Sequence, residues 1–96
     1  MPDFGDRRVM GCTREEIERW VRELMGAGAA GFVADRLDLA PLGVPVAICV
    51  RDAPPRSLGL IRFRELEVHF EYAAEHGARA REWIAHFDRH TQRGGG

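Results

Sequence analysis

The sequence predicts a small single α+β domain in the order β-α-β-β-β-β-α, with a mostly antiparallel sheet and two amphipathic helices on one face. A chain of 96 residues is long enough for one compact domain and too short for two. Its 45% hydrophobic and 30% charged residues form an ordinary globular balance. Two segments show helical periodicity, and the segments between them alternate with a period of two. We assign residues 1–93 to the domain and residues 94–96 to a flexible glycine tail.

The first two elements are a strand and a helix. A short strand is expected over residues 7–12, directly before a helix start. Thr13 and Glu16 have the spacing of a capping box, in which each side chain accepts a hydrogen bond from the other residue's backbone N–H. The apolar residues that follow fall at helical spacing on one stripe: Ile17, Trp20, Val21 and Leu24. Gly26 is expected to end this helix.

Two strands are expected next. Residues 32–39 alternate weakly, with Val33, Leu37 and Leu39 on one side, which indicates an edge strand. Residues 44–51 are apolar on both sides at their centre, which is typical of an interior strand.

The remaining strands are expected to form a hairpin. Two alternating runs of opposite parity lie within residues 58–72, and Phe63 belongs to the first and Leu66 to the second. Either a tight turn or a bulge at residues 64–65 would reset the parity. A two-residue turn would bring Phe63 opposite Leu66 and place apolar partners together, so we predict the hairpin.

A second amphipathic helix is expected over residues 78–92. Its core side consists of Ala80, Trp83, Ile84, Phe87 and Thr91. Both helices carry a single apolar stripe, which favours packing on the same face of the sheet.

Composition excludes several classes of function. All 14 basic residues are arginine, so lysine chemistry and the P-loop are absent. The net charge of −1 offers no large cationic field, which disfavours nucleic acid as the main partner. The sequence contains neither a long apolar run nor a signal-like start. We therefore expect no membrane association and a cytoplasmic location, and no pattern calls for a cofactor.

Two side chains are candidates for catalysis. Cys12 lies at the N-terminus of the first helix, where the helix dipole favours a thiolate, but a buried thiol at the sheet edge is the favoured interpretation. His69 falls in an outward row of alternating residues with carboxylates on both sides, a pattern suited to acid–base chemistry. That row comprises Glu65, Glu67, His69 and Glu71. An open sheet face excludes no water, so a solvated surface is favoured over a catalytic one.

Two further features are weighed against simpler explanations. Glu82, His86 and His90 are spaced four residues apart on the second helix, as metal ligands would need, but a polar helix face is the favoured explanation. The C-terminal Gly94, Gly95 and Gly96 meet the minimum requirement of a carrier or modifier conjugated through its C-terminus. The helix before them departs from the strand that leads into such tails in ubiquitin-like carriers. Terminal glycines are also commonly disordered.

The sequence favours a non-catalytic interaction module over an enzyme. We expect a protein partner or self-association, such as a homodimer, through a sheet face that the helices leave uncovered. The apolar residues assigned to that face are Leu58, Leu60 and Cys49. One alternative is a small ligand-binding protein or enzyme that uses Cys12 and His69. The other is the C-terminal Gly-Gly carrier or modifier.

Overall fold

The fold is a four-stranded antiparallel sheet with two helices on one face. A computed structural model describes residues 4–26, 28, 31–54, 56–58, 61–63 and 65–93. The strands are β1 (Phe4–Met10), β2 (Arg36–Asp38), β3 (Ala47–Asp52), β4 (Arg56–Leu58), β5 (Ile61–Phe63) and β6 (Leu66–Tyr72). The helices are α1 (Arg14–Met25) and α2 (Gly77–Arg93). Single 3₁₀ turns cover Ala40–Leu42 and Ala74–His76. The predicted α+β class is confirmed, with one strand more than expected.

The main sheet has the strand order β1-β6-β3-β2, and every neighbouring pair is antiparallel. β6 is central, and its residues alternate between buried and half-buried along its whole length. β3 lies between β6 and β2, as expected for the predicted interior strand. The core lies between this sheet and the helices. Phe87 of α2 is fully buried at its centre, where its ring meets Trp20 of α1 at 6.2 Å and Phe70 of β6 at 5.5 Å.

Both helices form as their sequence pattern predicts. The Thr13 hydroxyl accepts from the N–H of Glu16 at 3.1 Å, and the Glu16 carboxylate accepts from the N–H of Thr13 at 3.0 Å. Gly26 ends α1 with a φ of +98°, a conformation that suits glycine. The predicted core stripe of α2 is buried, except that Trp83 is half-buried. Within the described residues, neither helix is both long enough and apolar enough to cross a bilayer.

β2 is shorter than the predicted strand over residues 32–39. The chain makes a tight two-residue turn at Ala34 and Asp35, whose φ values are +51° and +63°. Leu37 and Leu39 beyond the turn are buried as predicted. Val33 precedes the turn and is 75% exposed, so its expected place on the apolar side is wrong. The turn reverses the chain and separates Val33 from the alternation of the strand.

The predicted hairpin between Phe63 and Leu66 is wrong. β4 pairs with β5 in a separate two-stranded sheet, and Arg56 lies opposite Phe63. β6 pairs with β3 instead, and Asp52 lies opposite Leu66. Asp52 and Arg56 are four residues apart, whereas Phe63 and Leu66 are three apart, so the two ladders are offset by one residue. A one-residue offset is what a bulge, the other alternative that the sequence allowed, produces, and it resets the alternation.

β1 is an edge strand with charged residues on the core side of the sheet. The register places Arg8 opposite the buried Val68 and Asp6 opposite the buried Phe70. The Arg8 guanidinium lies 5.1 Å from the centre of the Phe70 ring. It also bonds the carboxylates of Asp6 and of Asp88 on α2. The two carboxylates balance the charge of Arg8, and the guanidinium is only partly removed from water. Together these contacts explain how a charged side chain is stable on the core side of the sheet.

Candidate functional site on the open sheet face

One face of the main sheet lies opposite both helices, and we call it the open face. It carries the outward residues of all four strands: Arg7, Val9, Arg36, Asp38, Ala47, Cys49, Arg51, Glu67, His69 and Glu71. A groove of about 520 Å³ crosses the part of this face between β1 and β3. Of the predicted reactive and interacting residues, His69 and Cys49 lie on the open face.

Cross-strand ion pairs hold the charged residues of the open face. An Arg36 Nη1 atom lies 2.8 Å from a Glu71 Oε1 atom, and Arg51 Nε lies 2.9 Å from Glu67 Oε2. The hydrogen bond from Arg36 holds the pKa of Glu71 below its ordinary value. Glu71 is therefore a charged, fixed carboxylate at neutral pH. Because its ion pair with Arg36 favours the charged form, the Glu71 carboxylate is poorly suited to accept and pass on a proton.

Cys49 and His69 lie directly opposite each other at the centre of the open face. The His69 Nδ1 atom is 3.5 Å from Glu71 Oε2, and Arg36 lies 3.5 Å from the Cys49 sulfur. Burial raises the pKa of the Cys49 thiol, and the nearby Glu71 carboxylate raises it further. The residues of a Cys-His-Glu arrangement are thus adjacent, but the thiol stays protonated at neutral pH and is a weak nucleophile.

Cys12 and His69 do not lie in the same part of the structure. Cys12 belongs to the hydrophobic core between the sheet and the helices, with 8% of its surface exposed, whereas His69 lies on the open face. Burial raises the pKa of the Cys12 thiol to about 11, with a smaller contribution from the charge of Glu16. Desolvation thus outweighs the helix dipole that the sequence position suggested. The two residues of the alternative ligand-binding or enzyme site therefore lie on opposite faces of the sheet.

The three candidate metal ligands on α2 do not converge. The Nε2 atom of His90 lies 2.6 Å from a Glu23 carboxylate oxygen on α1, so it links the two helices. Glu82 and His86 are exposed beside Trp83 in a separate groove. Among the described residues, no group of three or more histidine, cysteine, aspartate or glutamate side chains is placed to hold a metal ion.

Two of the predicted interaction residues lie outside what the structure describes. Leu60 is not among the described residues, and only the backbone of Leu58 is described. The glycines 94–96 are not described either. Sequence reasoning did not single out Val9, which is 56% exposed on the open face at the sheet edge. It also missed Arg8, because a charged residue in a short strand gives no sign that it faces the core.

In comparisons with known proteins, no family model, no curated protein and no solved structure matches the chain.

Proposed function

We propose that this chain is a non-catalytic interaction module that self-associates through the β1 side of its open face. The observation that carries the proposal is the groove on this side of the open face, which Val9 lines together with Cys49 and His69. Val9 is 56% exposed in a regular strand at the sheet edge, opposite the half-buried Glu67. A single exposed apolar side chain is ordinary, whereas one that lines a groove with other half-buried side chains is a feature of contact surfaces.

The arrangement of the neighbouring residues supports docking. Cys49 and His69 form a half-buried centre, and the flanking Arg36 and Glu71 neutralise each other. Because these side chains are already held by mutual contacts, little further side-chain entropy is lost when a partner covers them.

The chemistry of the thiols supports a non-catalytic role. The pKa values of Cys12 and Cys49 are both raised, chiefly by burial. A catalytic cysteine needs the opposite shift, since the thiolate is the nucleophile. His69 lies on an open surface, where water competes for any proton it transfers.

Sedimentation equilibrium tests the proposal. We expect the mass of the natural chain to rise above the monomer value of 10.8 kDa with concentration. Val9→Arg should weaken the association by about tenfold or more, because it places a charge in the contact. It should leave the fold intact, since Val9 lies opposite Glu67.

Val33→Arg is the matched control. Val33 is 75% exposed and precedes β2, which forms the opposite edge of the sheet. The same change there should leave the association constant unchanged. A natural chain that stays monomeric at millimolar concentration contradicts the proposal, and so does equal weakening by both substitutions.

A further inference from the structure

We infer that two copies of this chain join edge to edge through β1, in antiparallel pairing centred on Arg7, to form a continuous eight-stranded sheet. This inference rests on the proposed self-association and names its contact and its register.

The position of β1 makes such pairing available. β1 has seven residues and pairs on one side with β6, and no other described strand lies along its outer side. The other edge, β2, has three residues. An unpaired edge strand presents backbone N–H and C=O groups that a second extended strand satisfies.

Symmetry restricts the possible registers. A two-fold axis that makes the paired strands antiparallel runs perpendicular to the sheet, so it keeps the helices of both copies on the same side. Residues opposite each other must then lie on the same face, which leaves three registers near the middle of β1. These are centred on Asp6, on Arg7 or on Arg8.

Charge selects one of the three. Centring on Asp6 brings two copies of Asp6 together, and centring on Arg8 does the same for Arg8. Centring on Arg7 places Asp6 of each copy opposite Arg8 of the other, so opposite charges meet twice. Arg7 is also the middle residue of Phe4–Met10, so this register pairs the whole strand.

Asp6 and Arg8, the charged residues on the core side of β1, are already held in place within one copy. Within one copy, Arg8 already bonds Asp6 and Asp88, which fixes its guanidinium at the sheet edge. Two of its five N–H donors take part in these bonds, so the others remain for Asp6 of a second copy. Charges that face inward on an edge strand reject most other strands. Here they are complementary to an antiparallel copy of the same strand.

On the open face, this register brings together one favourable and one unfavourable pair of residues. Val9 lies opposite Gly5 of the second copy, so its exposed side chain meets a position without a side chain. Arg7 lies opposite Arg7 of the second copy at the two-fold axis, and this like-charge pair opposes association. Arg7 takes part in none of the described ion pairs, so its substitution breaks none of them.

A mixing experiment tests the register. Asp6→Arg makes positions 6 and 8 both basic, and Arg8→Asp makes both acidic. Each variant alone should dissociate at least about tenfold more readily than the natural chain, because like charges face each other across the edge. An equimolar mixture should form a heterodimer, because each basic position then meets an acidic one. Sedimentation equilibrium and native mass spectrometry report both results.

A second variant covers the case in which those substitutions weaken the fold through the lost contact with Asp88. Arg7→Thr touches none of the bonds described above. It should tighten the association by about two- to fivefold and reduce its dependence on salt. Circular dichroism melting curves show whether each variant is folded.

The outcomes separate this inference from the proposed function. If the natural chain is a monomer, self-association itself is wrong. A second outcome is that the natural chain associates, that Val9→Arg weakens the association, and that both charge variants stay folded and still self-associate. The contact would then be on the open face, and the edge pairing would be wrong. If Arg7→Thr leaves the affinity unchanged or weaker, the register centred on Arg7 is wrong.

Discussion

The reactivity of Cys12 gives the most direct test of the non-catalytic interpretation. Its thiol pKa is raised from 9.0 to about 11. A rise of two pH units lowers the thiolate fraction near pH 7.5 by about a hundredfold. In Cys49→Ala, which leaves Cys12 as the only thiol, iodoacetamide should therefore alkylate the native protein at least about a hundredfold more slowly than the same protein in urea. The low exposure of Cys12 slows the native reaction further.

The pH profile of that reaction is the second measurement. The native rate should keep rising with pH until about pH 11. Equal rates in the native and unfolded protein would refute the reasoning, and so would a half-maximal rate below pH 9. The reciprocal variant Cys12→Ala reports on Cys49, whose partly exposed thiol should react faster than that of Cys12 but more slowly than in urea.

The raised pKa of Cys12 also makes the free energy of unfolding depend on pH in the alkaline range. The folded state keeps its Cys12 proton above pH 9, whereas the unfolded state loses it, so the free energy of unfolding falls as pH rises from 9 to 11. One fully shifted thiol accounts for about 2–3 kcal/mol over this range. Comparing the natural chain with Cys12→Ala in urea titrations at each pH isolates this contribution.

Two further predictions concern the local structures that position the sheet. Ala34→Gly should stabilise the fold by about 0.5–1 kcal/mol, because alanine is strained at its φ of +51°. The free energy gained by removing this strain exceeds the cost of the extra conformational entropy that glycine gives the unfolded chain. Ala85→Gly, at an exposed position within α2, should lower stability by a similar amount, and equal losses in both variants would contradict the strain argument. Thr13→Ala should cost about 1 kcal/mol and lower the melting temperature by about 4–8 °C, because it removes the hydroxyl that caps α1. Glu16→Gln should cost less, since the amide oxygen still accepts from Thr13, and equal losses would show that the cap contributes little.

The elements that the sequence predicted well are those with local causes. The α1 boundaries follow from the capping box at Thr13 and from Gly26, and both signals act within a few residues of the backbone groups they satisfy. The core side of α2 follows from helical periodicity alone. The interior position of β3 follows from its apolar centre, which no edge strand would expose to water.

The predictions that failed depended on pairing between distant segments. The hairpin between Phe63 and Leu66 was consistent in polarity, but β6 satisfies its backbone with β1 and β3 instead. Alternation specifies which side of a strand is apolar, and it does not specify the neighbouring strand. For the same reason the sequence did not predict that Cys49 lies opposite His69.

By itself, the sequence determined the α+β class, both helices with their ends, and most of the residues that form the core, because these depend on spacing along the chain. It also excluded lysine chemistry, since no lysine is present. The tertiary structure decided the strand order, the burial that raises the pKa of Cys12 and the placement of Arg8 on the core side of an edge strand. Each of these depends on contacts between residues far apart in the chain, such as Arg8 with Asp88, and only the folded structure brings them together.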